Sequence, residues 1–297
     1  MHGSEAWCLR CWPLEHPDPQ RLLTIHGWLH LCRDLPYIPT PWMNRQGASW
    51  IETPEGRWEL TPWLPGCADF KTQPSHARLR MAVQALAEVH LKWSGQRQFP
   101  SQGPCPAVSQ RLHRFSDLSQ GELERLRSCV LRRTGQSLSH LARRCLEQFD
   151  RHATGLRADL EHVSATVLPL QPCLRDIWHD HLLFEGENLT GIVDFGAAKV
   201  DVVAGDLGRM LGSLIADSND LWDIAQEAYD GVHVLTPQQW RLARLLDRSG
   251  CLLGAMNWLR WIWLDRRQFE DMSRVEQRLT QLVGRMEGWS PPQSLTI

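Results

Sequence analysis

Asp176, His181 and Asp194 are of the types, and at the spacing, that phosphoryl-transfer chemistry uses. Asp176 opens a loop and His181 follows five residues later. The apolar run Leu182-Leu183-Phe184, the turn Glu185-Gly186-Glu187-Asn188 and a second run, Leu189 to Val193, then lead to Asp194-Phe195-Gly196. Turn residues between two such runs predict a β-hairpin with Asp194 on its far strand. The three side chains can then converge on one point from two loops. In phosphoryl transfer one carboxylate orients the attacking hydroxyl and accepts its proton, while a second holds Mg²⁺ against the phosphates. Magnesium favours octahedral oxygen ligands, so His181 fits it poorly; imidazole suits Zn, Mn or Ni better. Two other readings stand beside this one. Both acids could be solvated surface carboxylates, and His179-Asp180-His181 could hold a transition metal or be ordinary loop.

The elements that must position these groups follow from periodicity. Residues 6–12 read as a strand apolar on both faces with Arg10 among them. Asp18-Pro19 starts a helix running to Leu31, with Leu22, Ile25, His26 and Leu29 at helical spacing. Residues 47–60 alternate around Pro54-Glu55-Gly56 and predict a hairpin, and the prolines of 61–66 make an extended connector. Residues 75–93 form an amphipathic helix, and 95–106 read as a loop. Helical patterns fill 107–118, 120–133 and 137–163, Ala165 to Leu170 reads as a strand, and everything from Asp206 onward is helical, with breaks near 217–220 and 231–237.

Leu174-Arg175-Asp176, His181, Asp194-Phe195-Gly196 and Gly205-Asp206-Leu207 together resemble the catalytic and metal loops of the aminoglycoside phosphotransferase and choline kinase-like family, which has the protein-kinase-like fold. That family reads His-Gly-Asp-x-x-x-x-Asn, then Asp-Phe-Gly or a variant, then a further Asp before a helix. Trp58 to Gly66 resembles its hinge, and the helix ending at His90 resembles its Ala-x-x-Leu-x-x-x-His. The resemblance implies that Asp176 is the catalytic base with Arg175 beside it, and that Asp194 is the chief metal ligand. His181 stands at the Asn position as an atypical second ligand, and Asp206 braces the catalytic loop. Arg10 stands where a strand Lys holds the α- and β-phosphates, and Glu59, Leu60, Thr61 and Trp63 would carry the adenine-binding hinge. The implied architecture is α+β and two-lobed, with a small truncated β-rich N-lobe and hinge (1–66) and a large, mainly helical C-lobe (67–297). The implied reaction transfers phosphate from ATP or GTP, with Mg²⁺, to a hydroxyl of a small molecule. The alternative is a kinase-fold protein that has lost catalysis and serves as a binding or scaffold module.

Departures from the pattern favour that alternative. The helix over 19–33 contains no acid to pair with Arg10, so His26 or His30 is expected to face it. Only nine residues precede Arg10, whereas a nucleotide-covering hairpin needs roughly 15–25, so that hairpin is expected to be missing. Composition narrows the partners. With 32 Lys+Arg against 34 Asp+Glu, the formal charge of −2 argues against nucleic acid. No apolar run approaches the ~20 residues of a membrane span. The nine scattered Cys, with no signal-peptide pattern, read as reduced thiols of a cytoplasmic protein. Cys8 and Cys11 lack the second cysteine pair of a zinc site. Trp258, Trp261 and Asp265 share a helix face that could hold a cationic amine substrate or simply be core.

Overall fold

Strand β1 (Trp7–Trp12) alternates exposed and half-buried residues, so Cys8, Arg10 and Trp12 share the inward face. Helix α1 (Pro19–Leu31) starts as expected: Asp18 accepts the Arg21 N–H at 2.9 Å and Pro19 takes the first turn. Strands β2 (Ile51–Thr53) and β3 (Gly56–Pro62) form the expected hairpin. The sheet is antiparallel in the order β1-β3-β2 and sets Arg10 opposite Glu59. Gly56 is required here: at φ 154° a Cβ would lie 2.4 Å from the Trp12 carbonyl oxygen. Helix α2 (His76–Ser94) is capped by Ser75 and buries Leu79, Val83, Leu86, Val89 and His90. These are computed-structural-model coordinates, and they describe residues 6–95, 102–132 and 137–289. The first five residues, which bear on the covering hairpin, lie outside them.

The stretch 95–106, expected as a loop, contains strand β4 (Gln102–Pro104); residues 96–101 lie outside the described part. Helices α3 (Pro106–Asp117) and α4 (Leu123–Leu131) are separated by a kink in which Gly121 takes φ 101°. Helix α5 (Ser137–Val163) follows. The strand expected over 165–170 is β5 (Val167–Pro169), paired with β4, and a further strand not expected from the sequence, β6 (Gln171–Cys173), follows it and pairs with a later strand. A helical turn at His179–His181 leads into β7 (Leu182–Glu185), which pairs with β8 (Asn188–Ile192), and β9 (Lys199–Asp201) pairs with β6. Helices α6 (Ala204–Leu214), α7 (Asn219–Asp230), α8 (Pro237–Leu259) and α9 (Met272–Glu287) complete the chain, with a wider π-type turn over Arg260–Leu264.

Contacts gather these elements into two compact units, one of Met1–Ser101 with Leu170–Thr236 and one of Gln102–Pro169 with Pro237–Ile297. In the first, α2 packs on α7, β6 and β8. In the second, α5 packs on α8 and α9, burying Leu160, Leu252, Met256 and Leu279. All nine cysteines are free thiols. Among the described residues no helix is long and apolar enough to cross a membrane.

Candidate active site

The loop that carries Asp176 is fastened by a buried carboxylate. Asp206, on the first turn of α6, accepts the backbone N–H of Leu174 at 2.7 Å and of Arg175 at 2.6 Å. His90 Nε2 lies 3.0 Å from the same carboxylate, and its Nδ1 lies 2.7 Å from the Tyr229 hydroxyl. Burial pushes the Tyr229 pKa well up, so the phenol stays protonated and donates to Nδ1. The imidazole is then the Nε2–H tautomer and donates to Asp206. Cys173 brings a third ligand-type atom within 4.8 Å, yet both ring nitrogens of His90 and both oxygens of Asp206 already serve the loop.

This fastening forces the chain through a left-handed residue, Arg175, at φ 67°. The Arg175 side chain is drawn to buried Asp201, with Nε 3.4 Å from Oδ2. Asp176 is half exposed, and Arg209 sets both Nε and Nη2 at 3.1 Å from its Oδ1. Sequence reading missed Arg209. The available signal was its place one helical turn after Asp206, on the same face of α6.

His181 sits between the two acid-bearing loops. Its Nδ1 donates to the Asp176 carbonyl oxygen at 2.7 Å, and its Nε2 lies 3.7 Å from Asp194 Oδ2. The Trp178 indole N–H donates to that Nε2 at 2.9 Å, so the lone pair a metal would use is already taken. The sequence predicts Asp194 on the far strand of the hairpin, and the structure corrects this. β8 ends at Ile192, and Asp194 stands just beyond it at φ 62°. The loops of Asp176 and Asp194 therefore meet at His181, and both carboxylates are half exposed.

Arg10 reaches Asp194 from β1, Nη2 to Oδ1 at 3.6 Å, and its guanidinium lies 3.6 Å over the Trp12 ring. Trp12 packs on Gly196, where a Cβ would come within 3.1 Å of the indole. Its N–H donates to Glu59 at 2.7 Å. Neither His26 nor His30 pairs with Arg10; His26 instead spans Ser49 and Glu59, each at 2.7 Å. Helix α1 also holds the Asp-Phe-Gly segment, through Arg21 Nη2 donating to the Gly196 carbonyl at 3.2 Å.

Cys8, Arg10, Trp12, His26 and Glu59 line one side of a cavity of about 380 Å³, which Leu183 and Val193 to Gly196 also line. That volume suits a small-molecule ligand. Of the hinge residues, Glu59, Thr61 and Trp63 line it and Leu60 does not. The Leu60 carbonyl accepts from Trp42 N–H at 2.8 Å, and Trp63 N–H donates to Ala6 at 2.9 Å. The largely apolar lining fits a purine. The acidic end fits a cation held by one carboxylate, with phosphate and water completing its shell. In the second unit, Trp258 and Trp261 stack edge to face at 5.0 Å. Arg267 covers Trp261 at 4.7 Å and, with Arg260, pairs with Asp265, so the chain's own arginines fill the positions a substrate cation would take.

The model of a family described as the phosphotransferase enzyme family matches residues 2–246. Among solved structures, an aminoglycoside phosphotransferase from Alicyclobacillus acidocaldarius is 12% identical with a TM-score of 0.61, covering 95% of this chain and 84% of its own. The AMP-bound complex of a spectinomycin phosphotransferase is 12% identical with a TM-score of 0.62, covering 96% and 88%. A choline/ethanolamine kinase family protein from Mesorhizobium loti is 17% identical with a TM-score of 0.57, covering 96% and 83%. No curated protein matches the sequence. At these identities the likenesses establish the fold, which is protein-kinase-like, with a small sheet-containing region and a large helical part as the sequence predicts.

Proposed function

The chain belongs to the phosphotransferase enzyme family, and from that premise we propose that it transfers the terminal phosphoryl group of ATP or GTP to a hydroxyl of a small molecule. The reading rests on one observation: His181, held on the Asp176 carbonyl, sets the Asp176 loop against Asp194, whose carboxylate lies 3.7 Å from the His181 Nε2, and Asp194 lines a cavity of about 380 Å³. A relative of this fold is solved with AMP bound, which supports nucleotide use. In this reading Asp176 orients the acceptor hydroxyl and takes its proton as the new oxygen–phosphorus bond forms. Asp194 would hold Mg²⁺, which when bound would neutralise charge on the phosphates. Arg10, flattened on Trp12, offers its fork to phosphate oxygens. Thr61 and Trp63 border the base, and Asp206 keeps Asp176 in place. His181 acts through position, holding the Asp176 carbonyl, and Arg175 acts through Asp201. The lobe boundary near Gly66 and a cytoplasmic location belong to the same proposal.

Asp176→Ala is expected to lower kcat about 10²- to 10⁴-fold while Mg-ATP still raises the melting temperature. Wild-type turnover in that variant defeats the assignment. A catalytically silent nucleotide-binding module is the second reading, and the engaged lone pair of His181 favours it. A thermal shift with Mg-ATP and no ADP release across hydroxyl acceptors supports that reading instead.

A further inference from the structure

Three arginine–aspartate pairs surround the loop that bears Asp176. Arg10 meets Asp194, Arg175 meets Asp201, and Arg209 meets Asp176 itself. Their consequences differ. Asp201 is buried and does not face an incoming ligand. Asp194 lies beside the nucleotide cavity. The acceptor hydroxyl must therefore approach through Asp176, and there it meets Arg209. Two donors of this guanidinium converge on a single carboxylate oxygen, and its carbon lies 5.5 Å from the centre of the Trp178 ring. A guanidinium carries five N–H donors, so three are left for other acceptors. The side chain is about a third exposed.

We propose that Arg209 is a specificity-determining residue, and that the phosphoryl acceptor is a hydroxyl compound bearing a carboxylate or phosphate, not an ammonium compound. The inference rests on the phosphotransferase reading above. A hydroxyl hydrogen-bonded to Asp176 stands roughly 4–7 Å from the guanidinium, given ordinary bond lengths. At that distance an anionic group on the acceptor is attracted and an ammonium group repelled, and the planar fork suits a carboxylate or phosphate. Three donors of Arg209 remain to bind an anion directly, whereas an ammonium group near Asp176 must also come close to this guanidinium.

The test measures ADP release by the full chain with four acceptors on one carbon skeleton: glycerol, its aminated analogue 3-amino-1,2-propanediol, and two anionic analogues, glycerate and glycerol 3-phosphate. The expected order of kcat/KM is anionic, then neutral, then cationic, with steps of about tenfold or more. The two anionic arms tell a carboxylate from a phosphate. In Arg209→Gln the order collapses through the acceptor KM, while the KM for ATP holds. Arg209→Lys keeps the charge and the order, which separates selection by charge from loss of folding. Fastest turnover of the amine, or an unchanged order in Arg209→Gln, overturns the inference. So does turnover of no anionic acceptor by a protein that Mg-ATP stabilises. Absence of any Mg-ATP thermal shift overturns the phosphotransferase reading itself, and the inference falls with it.

Discussion

His181 shows most directly how one side chain shifts the chemistry available at this site. In the resembling family an Asn stands there, and its carbonyl can face a metal. Here an imidazole spends Nδ1–H on the Asp176 carbonyl and its Nε2 lone pair on Trp178. His181→Asn offers an oxygen where none is now available. In assays of metal dependence the half-saturating Mg²⁺ concentration is expected to fall about tenfold or more, the size of effect seen when a group around a metal is changed. An unchanged Mg²⁺ dependence places this position away from the metal. The acids of this site were legible in the sequence because their types and spacing are dictated by the chemistry. Trp178 and Arg209 were not. Each acts through the direction of a side chain, which spacing alone does not fix, and Arg209 reaches Asp176 from another element.

At the scale of elements, the catalytic loop and α6 form one mechanical piece. Two backbone N–H groups and an imidazole converge on Asp206, which is fully buried. Asp206→Ala leaves three donors without an acceptor in an apolar setting. The expected loss of stability is about 3–5 kcal/mol, measured by urea unfolding, together with loss of activity. A loss under about 1 kcal/mol shows that the brace carries no such load. The elements read from the sequence largely stand: β1, α1, the β2–β3 hairpin, α2 and the kinked pair α3–α4 all follow periodicity and turn residues. The failures share a cause. The short strand β6 (Gln171–Cys173), just after the strand expected over 165–170, carries a proline and leaves no alternating pattern, and only its distant partner β9 reveals it. Likewise Asp194 looks like strand because its neighbours are β-branched or aromatic, whereas its left-handed backbone is imposed by the turn that presents it.

Three histidines tie the stability of the whole chain to pH. Burial lowers the pKa of His30, His152 and His233 from 6.5, and nearby His or Arg charges add to this. His30 Nε2 and His152 Nε2 are buried with no hydrogen-bond partner among the described residues, so the native state has nothing there to receive an added proton. The unfolded chain accepts that proton more readily than the folded one. The stabilisation is therefore complete above pH 6.5 and is lost as the pH falls through the lowered native values. The melting temperature should hold near neutrality and decline steadily below about pH 6. A melting temperature that rises on acidification contradicts this sign. At this scale the grouping of the chain into these two compact units was not legible in the sequence. Each of the two compact units is assembled from two distant stretches of chain, and no local composition marks where one stretch passes to the other.

The link between α1 and the sheet also bears on how such a chain can change over time. Where an acid on the helix would ordinarily answer a base on the strand, His26 answers Glu59, and Trp12 shares the same carboxylate. Installing Glu at position 26 alone sets two carboxylates face to face in a buried spot, which is costly. Removing the acid at position 59 alone strands both the imidazole and the indole N–H. Each single step costs stability, so the two positions are tied to change together. His26→Glu and Glu59→Gln should each destabilise the protein, and the double variant should fall well short of their sum by urea unfolding. Strict additivity would leave the two positions free to drift apart.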